Sequence, residues 1–154
     1  MASTSTNKQP LLIDRVLHSI VATDRAFNDG MDVSGINSAT PLVDATNNDG
    51  AILEDIYLIS RGSASKVNLY ISTASDFLRP QQAAFVGTIT ASATAGDIVR
   101  WEEAPVTLTP VPQVGTATYN RAFYLPRGTA LWTAREDNQE ISTGPLVGAQ
   151  GGFY

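Results

Sequence analysis

Hydrophobic and polar positions alternate most cleanly over residues 51–73, AILEDIYLISRGSASKVNLYIST. Ile52, Glu54, Ile56 and Leu58 alternate with Leu53, Asp55, Tyr57 and Ile59, and Val67, Leu69 and Ile71 then alternate with Lys66, Asn68 and Tyr70. A period of two sends successive side chains to opposite faces of a strand. The pattern predicts two strands joined around RGSAS, a Gly- and Ser-rich loop between runs of β-branched and aromatic residues.

The same reading predicts strands at 83–91, 97–101, 106–109, 119–125, 129–135 and 139–143, separated by Gly96-Asp97, Pro105, Pro110, Pro112, Gly115, Pro126 and Gly128. In YLPRGTALWTAR, Pro126 and Gly128 predict a tight turn, after which Ala130, Trp132 and Ala134 share one face. Residues 11–21, LLIDRVLHSIV, fit either period. A helix would gather Ile13, Val16, Leu17 and Ile20; a strand would align Leu11, Ile13, Arg15, Leu17 and Ser19. Pro10 and the strand-rich remainder favour the strand. One short helical turn is predicted at 76–84, where Pro80 can start it. The first ten residues, MASTSTNKQP, have no periodicity and read as a flexible polar arm. Together these features predict an all-β fold: one domain over 11–154, an antiparallel β-sandwich or jelly-roll-like barrel with an ordered C-terminal tail.

Composition narrows the function. The 154-residue chain has a size common for one domain. It is 43% hydrophobic and only 16% charged, so neutral polar groups must carry much of its solubility. A net charge of -5, with the eight arginines scattered from Arg15 to Arg135, leaves no basic stripe for nucleic acid. No run approaches the roughly 20 apolar residues that cross a bilayer, and the N-terminus lacks a secretory apolar core, which predicts synthesis and folding in a cytoplasm. Zero cysteines exclude disulfides and thiolate chemistry.

Candidate chemistry is sparse. His18 is the only histidine, lies in an apolar run and has no GxSxG partner motif, so it reads as structural. One histidine and no cysteine give zinc no ligand cluster. DATNNDG at 44–50 resembles the start of a calcium loop, but its glycine is seventh instead of sixth and no Glu stands twelfth, which favours an Asx-rich turn. Glu54 with Asp55, and Glu102 with Glu103, are adjacent along the chain, so an extended backbone sends each pair to opposite faces. Adjacency gives neither pair the opposed geometry of a glycosidase, and the sign that would revive an enzyme is a cleft in which two carboxylates approach within glycosidase distance, in a pairing that includes Asp97, Glu102 or Glu103. The glycines match no nucleotide-binding motif. These readings predict a non-enzymatic protein without metal or cofactor. Trp101, Trp132, Tyr57 and Tyr70 leave a glycan-binding face as the alternative.

Three stretches carry a family likeness: AILEDIYLISRGSASKVNLYIS, YLPRGTALWTAR and the terminal AQGGFY. Together they resemble the small all-β virion proteins of tailed bacteriophages, over much of residues 51–154. The size and single domain look most like a capsid decoration, or cement, protein. That resemblance implies a structural protein of the virion, made in the host cytoplasm, which binds the major capsid protein as a homo-oligomer, commonly a trimer. A tail or head-to-tail accessory protein fits the same sequence. Candidate interface residues are Leu11, Leu12, Arg121, Arg127, Trp132, Phe153 and Tyr154. The ending GPLVGAQGGFY has two readings. Pro145, Leu146 and Val147 form a final edge segment, after which the glycines turn the backbone. Phe153 and Tyr154 then either close their own domain or lock into a neighbour, with the terminal carboxylate available to Arg121 or Arg127.

Overall fold

The computed structural model describes residues 15–23, 39–73, 83–101, 108–110, 121–136 and 144–154. The strands in chain order are β1 (Arg15–Ala22), β2 (Thr40–Asp44), β3 (Gly50–Ile59), β4 (Lys66–Ser72), β5 (Ala84–Thr90), β6 (Ile98–Arg100), β7 (Leu108–Pro110), β8 (Arg121–Pro126), β9 (Ala130–Arg135) and β10 (Leu146–Phe153). They form two antiparallel sheets. The larger runs β1-β10-β3-β8-β7, with β6 also on β3, and the smaller runs β2-β9-β4-β5. The fold is therefore all-β, and neither sheet closes into a barrel.

The two strands around RGSAS exist, but they are not partners. β3 lies in the larger sheet and β4 in the smaller, so the loop carries the chain from one sheet to the other. One apolar cluster spans both: Leu53, Ile56, Leu58 and Leu125 from the larger sheet meet Leu42, Val67, Leu69, Ile89 and Leu131 from the smaller. Trp101, which follows β6, joins this cluster and packs at a tilt against Phe123, with ring centroids 5.7 Å apart.

The alternation of β4 holds as predicted, with Val67 and Leu69 fully buried. That of β3 does not. Ala51 and Leu53 face the core, then Ile56 and Leu58 do, so the phase slips by one residue at Glu54-Asp55. The register explains the slip: Gln150 faces Asp55 whereas Gly151 faces Leu53, leaving Glu54 as the extra residue of a β-bulge. The bulge lets two adjacent acidic residues avoid the core.

β1 settles the two periods of residues 11–21 in favour of a strand from Arg15 onward; Leu11, Leu12, the proposed arm and the predicted strand at 139–143 lie outside the described residues. So does the predicted helical turn, apart from Ala83 and Ala84, and Ala84 opens β5. β2 had no periodic signal, since Pro41 interrupts a run of only five residues. The turn at Arg127-Gly128 forms as expected, closed by the Thr129 amide donating to the Pro126 carbonyl. Beyond it, Ala130 and Trp132 do share a face, forming a second apolar cluster with Ala39, Tyr70 and Ala83 on the side of β9 opposite Leu131.

The C-terminus departs most from expectation. The glycines of GPLVGAQGGFY do not turn the chain away. β10 continues without a break from Leu146 to Phe153 between β1 and β3, hydrogen-bonded on both edges. It is an interior strand where an edge segment was expected, and Phe153 is buried at its end.

Candidate interaction surface

The face of the larger sheet turned away from the core can be built row by row, because directly opposed residues of an antiparallel sheet share a face. Ala22, Leu146, Ile59 and Ile98 form an apolar row across β1, β10, β3 and β6. Next come Ile20, Gly148, Tyr57 and Arg100. His18, Gln150 and Asp55 make the third row, and Val16, Gly152, Ile52 and Tyr124 the fourth. Two apolar bands thus flank a polar middle. Val16 is 81% exposed, Ile98 56% and Ile20 48%. Scattered exposed aliphatics are ordinary on a protein surface, whereas here directly opposed positions of four strands are apolar together, with Leu146 and Ile59 half-buried between exposed Ala22 and Ile98.

The polar middle is organised by Tyr57. A β-carbon placed on Gly148 would stand 2.2 Å from the Tyr57 ring, which means that the ring lies directly on the Gly148 backbone. Tyr57 thereby crosses β10 and reaches β1, where its Oη is hydrogen-bonded to His18 Nε2 at 2.9 Å. Glycine at 148 is what lets one side chain tie three strands together. Beside it, Arg100 Nε pairs with Asp55 Oδ2 at 3.2 Å, joining β6 to β3. Half-exposed pairs of this kind contribute little stability, and serve mainly to fix the charges of the face. Substituting Tyr57→Phe keeps the ring over Gly148 and removes only the bond to His18. The expected loss is about 1 kcal/mol, read by chemical denaturation, with the mobility of His18 rising in its imidazole NMR signals.

The residues singled out from the sequence are scattered across the fold. Phe153 is 7% exposed, with the Arg15 guanidinium 4.6 Å above its ring. Tyr154 is half-buried; its amide donates to the Gly50 carbonyl at 3.1 Å, and its ring lies 6.1 Å from that of Tyr124. Burial, and secondarily the neighbouring Tyr124, raise the Tyr154 phenol above its ordinary pKa. Arg127 is exposed and pairs with Asp49 Oδ1 at 3.5 Å. Arg121 opens β8 opposite Pro110 of β7. Trp132 is 1% exposed within its own chain, so almost none of its surface is left for a partner. The aromatic end closes its own sheet, through contacts with β1, β3 and β8.

DATNNDG forms the predicted Asx-rich turn. Asp44 Oδ1 accepts from both the amide and the hydroxyl of Thr46, while Asn48 Nδ2 donates to the Asp44 carbonyl. That carboxylate is engaged in shaping the turn. Asp97 likewise accepts from Ser92 Oγ at 2.7 Å within the exposed loop that leads into β6.

Sequence reasoning missed the residues that compose the open face: Val16, Ile20, Ala22, Ile59, Ile98 and Leu146. Each belongs to an apolar alternation that reads equally well as core, and only the pairing of four strands distant in sequence shows that they form one band. Comparison with protein-family models, with curated proteins and with solved structures finds no match for this chain.

Proposed function

We propose that this chain is a non-enzymatic structural protein of a tailed-phage virion, a β-sandwich that decorates or cements the capsid through its open sheet face. The observation that carries the reading is the apolar band Ala22–Leu146–Ile59–Ile98, with Ile20 beside it, next to the polar middle of the same sheet face. Interfaces draw their binding energy from a few such apolar anchors, while surrounding polar groups fix orientation and keep the free protein soluble. Attachment to the major capsid protein, and the closed homo-oligomer expected of a decoration protein, come from the resemblance in sequence pattern. Repeating one modest contact around a closed assembly multiplies its hold on the shell.

The glycan alternative needs an exposed aromatic platform; the exposed rings among the described residues, Phe85 on β5 and Tyr124 on β8, lie in different sheets, and the two tryptophans add none. Trp132 is enclosed and Trp101 packs on Phe123. A charge in the apolar band tests the structural reading. Ile98→Lys replaces an exposed side chain, so the fold is expected to persist while co-sedimentation with purified capsid shells of the phage weakens about tenfold or more. Wild-type chain that stays in the supernatant at every shell concentration contradicts the proposal.

A further inference from the structure

Every sheet edge is a row of unpaired backbone donors and acceptors, and proteins usually blunt such edges with short strands, proline, bulges or charge. Among the described strands, four edges carry one of these devices. β7 and β6 have three residues each, with Pro110 in the former and Arg100 in the latter. β2 contains Pro41 and an irregular register with β9. β5 has a bulge, since Leu69 faces Gly87 whereas Tyr70 faces Phe85. β1 differs from all of them. It pairs with β10 without interruption over eight residues, RVLHSIVA, with no proline, glycine, acidic residue or lysine, and its single charge, Arg15, is at the end and drawn over Phe153. Among the described strands it has β10 as its one sheet partner.

From this contrast we infer that the edge of β1 opposite β10, unpaired among the described strands, is a self-association site, at which β1 of a second copy adds antiparallel and makes one continuous sheet. The strand is complementary to itself. Opposed residues in an antiparallel pair share a face, so the register must keep even-numbered residues opposite even-numbered ones. With His18 on the two-fold axis, Val16 of each copy lies opposite the partner's Ile20, twice over. This register places Val16, 81% exposed, against Ile20, itself 48% exposed. On the opposite face Leu17 meets the partner's Ser19, and neither contact opposes like charges. A shift by two residues would place Val16 against the small Ala22 and His18 against Ile20, a poorer match. The contact is isologous, so it closes as a dimer and does not by itself generate a trimer. The inference does not rest on the virion setting: it concerns the chain alone, and loss of capsid binding would leave it untouched.

The register can be tested directly. Purified wild-type chain is expected to sediment with twice the monomer mass at micromolar concentration. Val16→Lys, at a position 81% exposed, should leave the thermal unfolding of the fold intact and weaken dimerisation about tenfold or more. Adding Ile20→Glu to the same chain sets each lysine opposite a glutamate of the partner and should recover most of the loss. Because the chain has no cysteine, His18→Cys offers a second readout. Position 18 alone sits on the axis and should oxidise to a disulfide-linked dimer, whereas Thr88→Cys, exposed on β5, should not. A chain that is monomeric or trimeric throughout overturns the inference. So does a dimer indifferent to Val16→Lys, or a β1 edge filled instead by a strand of another protein.

Discussion

Replacing Gly151 by alanine lowers the thermal unfolding midpoint by about 6–12 °C, the largest effect expected from a single added methyl group. A β-carbon at this position would lie 1.9 Å from the Ile52 carbonyl oxygen and 2.9 Å from the Leu53 α-carbon. Both are backbone atoms, so no side-chain rotation relieves the clash. The strands must part at the bulge where Gln150 faces Asp55 and Gly151 faces Leu53. Forcing excess volume into a packed interior costs roughly 3 kcal/mol or more when neighbours cannot move, a large share of the 5–15 kcal/mol that usually holds a domain together. Gly148→Ala makes the informative comparison. The atoms it meets belong to the Tyr57 ring, a side chain that can swing outward. Its cost should be smaller and should come with loss of the Tyr57–His18 bond. An alanine at 151 as well tolerated as one at 148 would mean that the bulge is not packed as described.

How much of this was legible in the residues depends on the range over which each signal acts. Strands β4, β5, β8 and β9 follow from local alternation and turn residues, and the tight turn at Arg127-Gly128 from Pro126 and Gly128 alone. The interior position of β10 was not legible. Three glycines within five residues lower strand propensity, and they read as a place where the chain turns. Their use here is spatial: Gly148 accommodates a ring from β3, and Gly151 accommodates the backbone of a bulge in β3 almost a hundred positions earlier. The bulge was hidden for the same reason. An unbroken apolar-polar alternation through Glu54 and Asp55 is the simplest local pattern, but it would turn one acidic residue into the core, and an extra residue resolves the conflict. The open face was invisible because it exists only through the register of β1, β10, β3 and β6.

The terminal tetrapeptide Gly151-Gly152-Phe153-Tyr154 connects these observations. Chain ends ordinarily fray unless tied down, and this one is tied on both sides. Residues 151–153 pair with Arg15, Val16 and Leu17 of β1 and with Ala51, Ile52 and Leu53 of β3, and Tyr154 adds a bond to the Gly50 carbonyl. Removing the buried Phe153 side chain alone should cost about 3–5 kcal/mol. Deleting all four residues also strips pairing from one end of both neighbouring strands and removes the ring that Arg15 covers. The combined loss reaches the whole stability of an ordinary domain, and it disconnects the end of β1 that begins the proposed self-association edge.

The interior position of β10 is tested most directly by a chain truncated after Gln150, compared with the full chain by calorimetry and by amide NMR dispersion. A β10 interior to its own sheet predicts no cooperative unfolding transition and collapsed dispersion in the truncated protein. A truncated chain that melts cooperatively near the full-length midpoint, and has lost only its association with other molecules, would show instead that Phe153 and Tyr154 serve a neighbour and that the fold is complete without them.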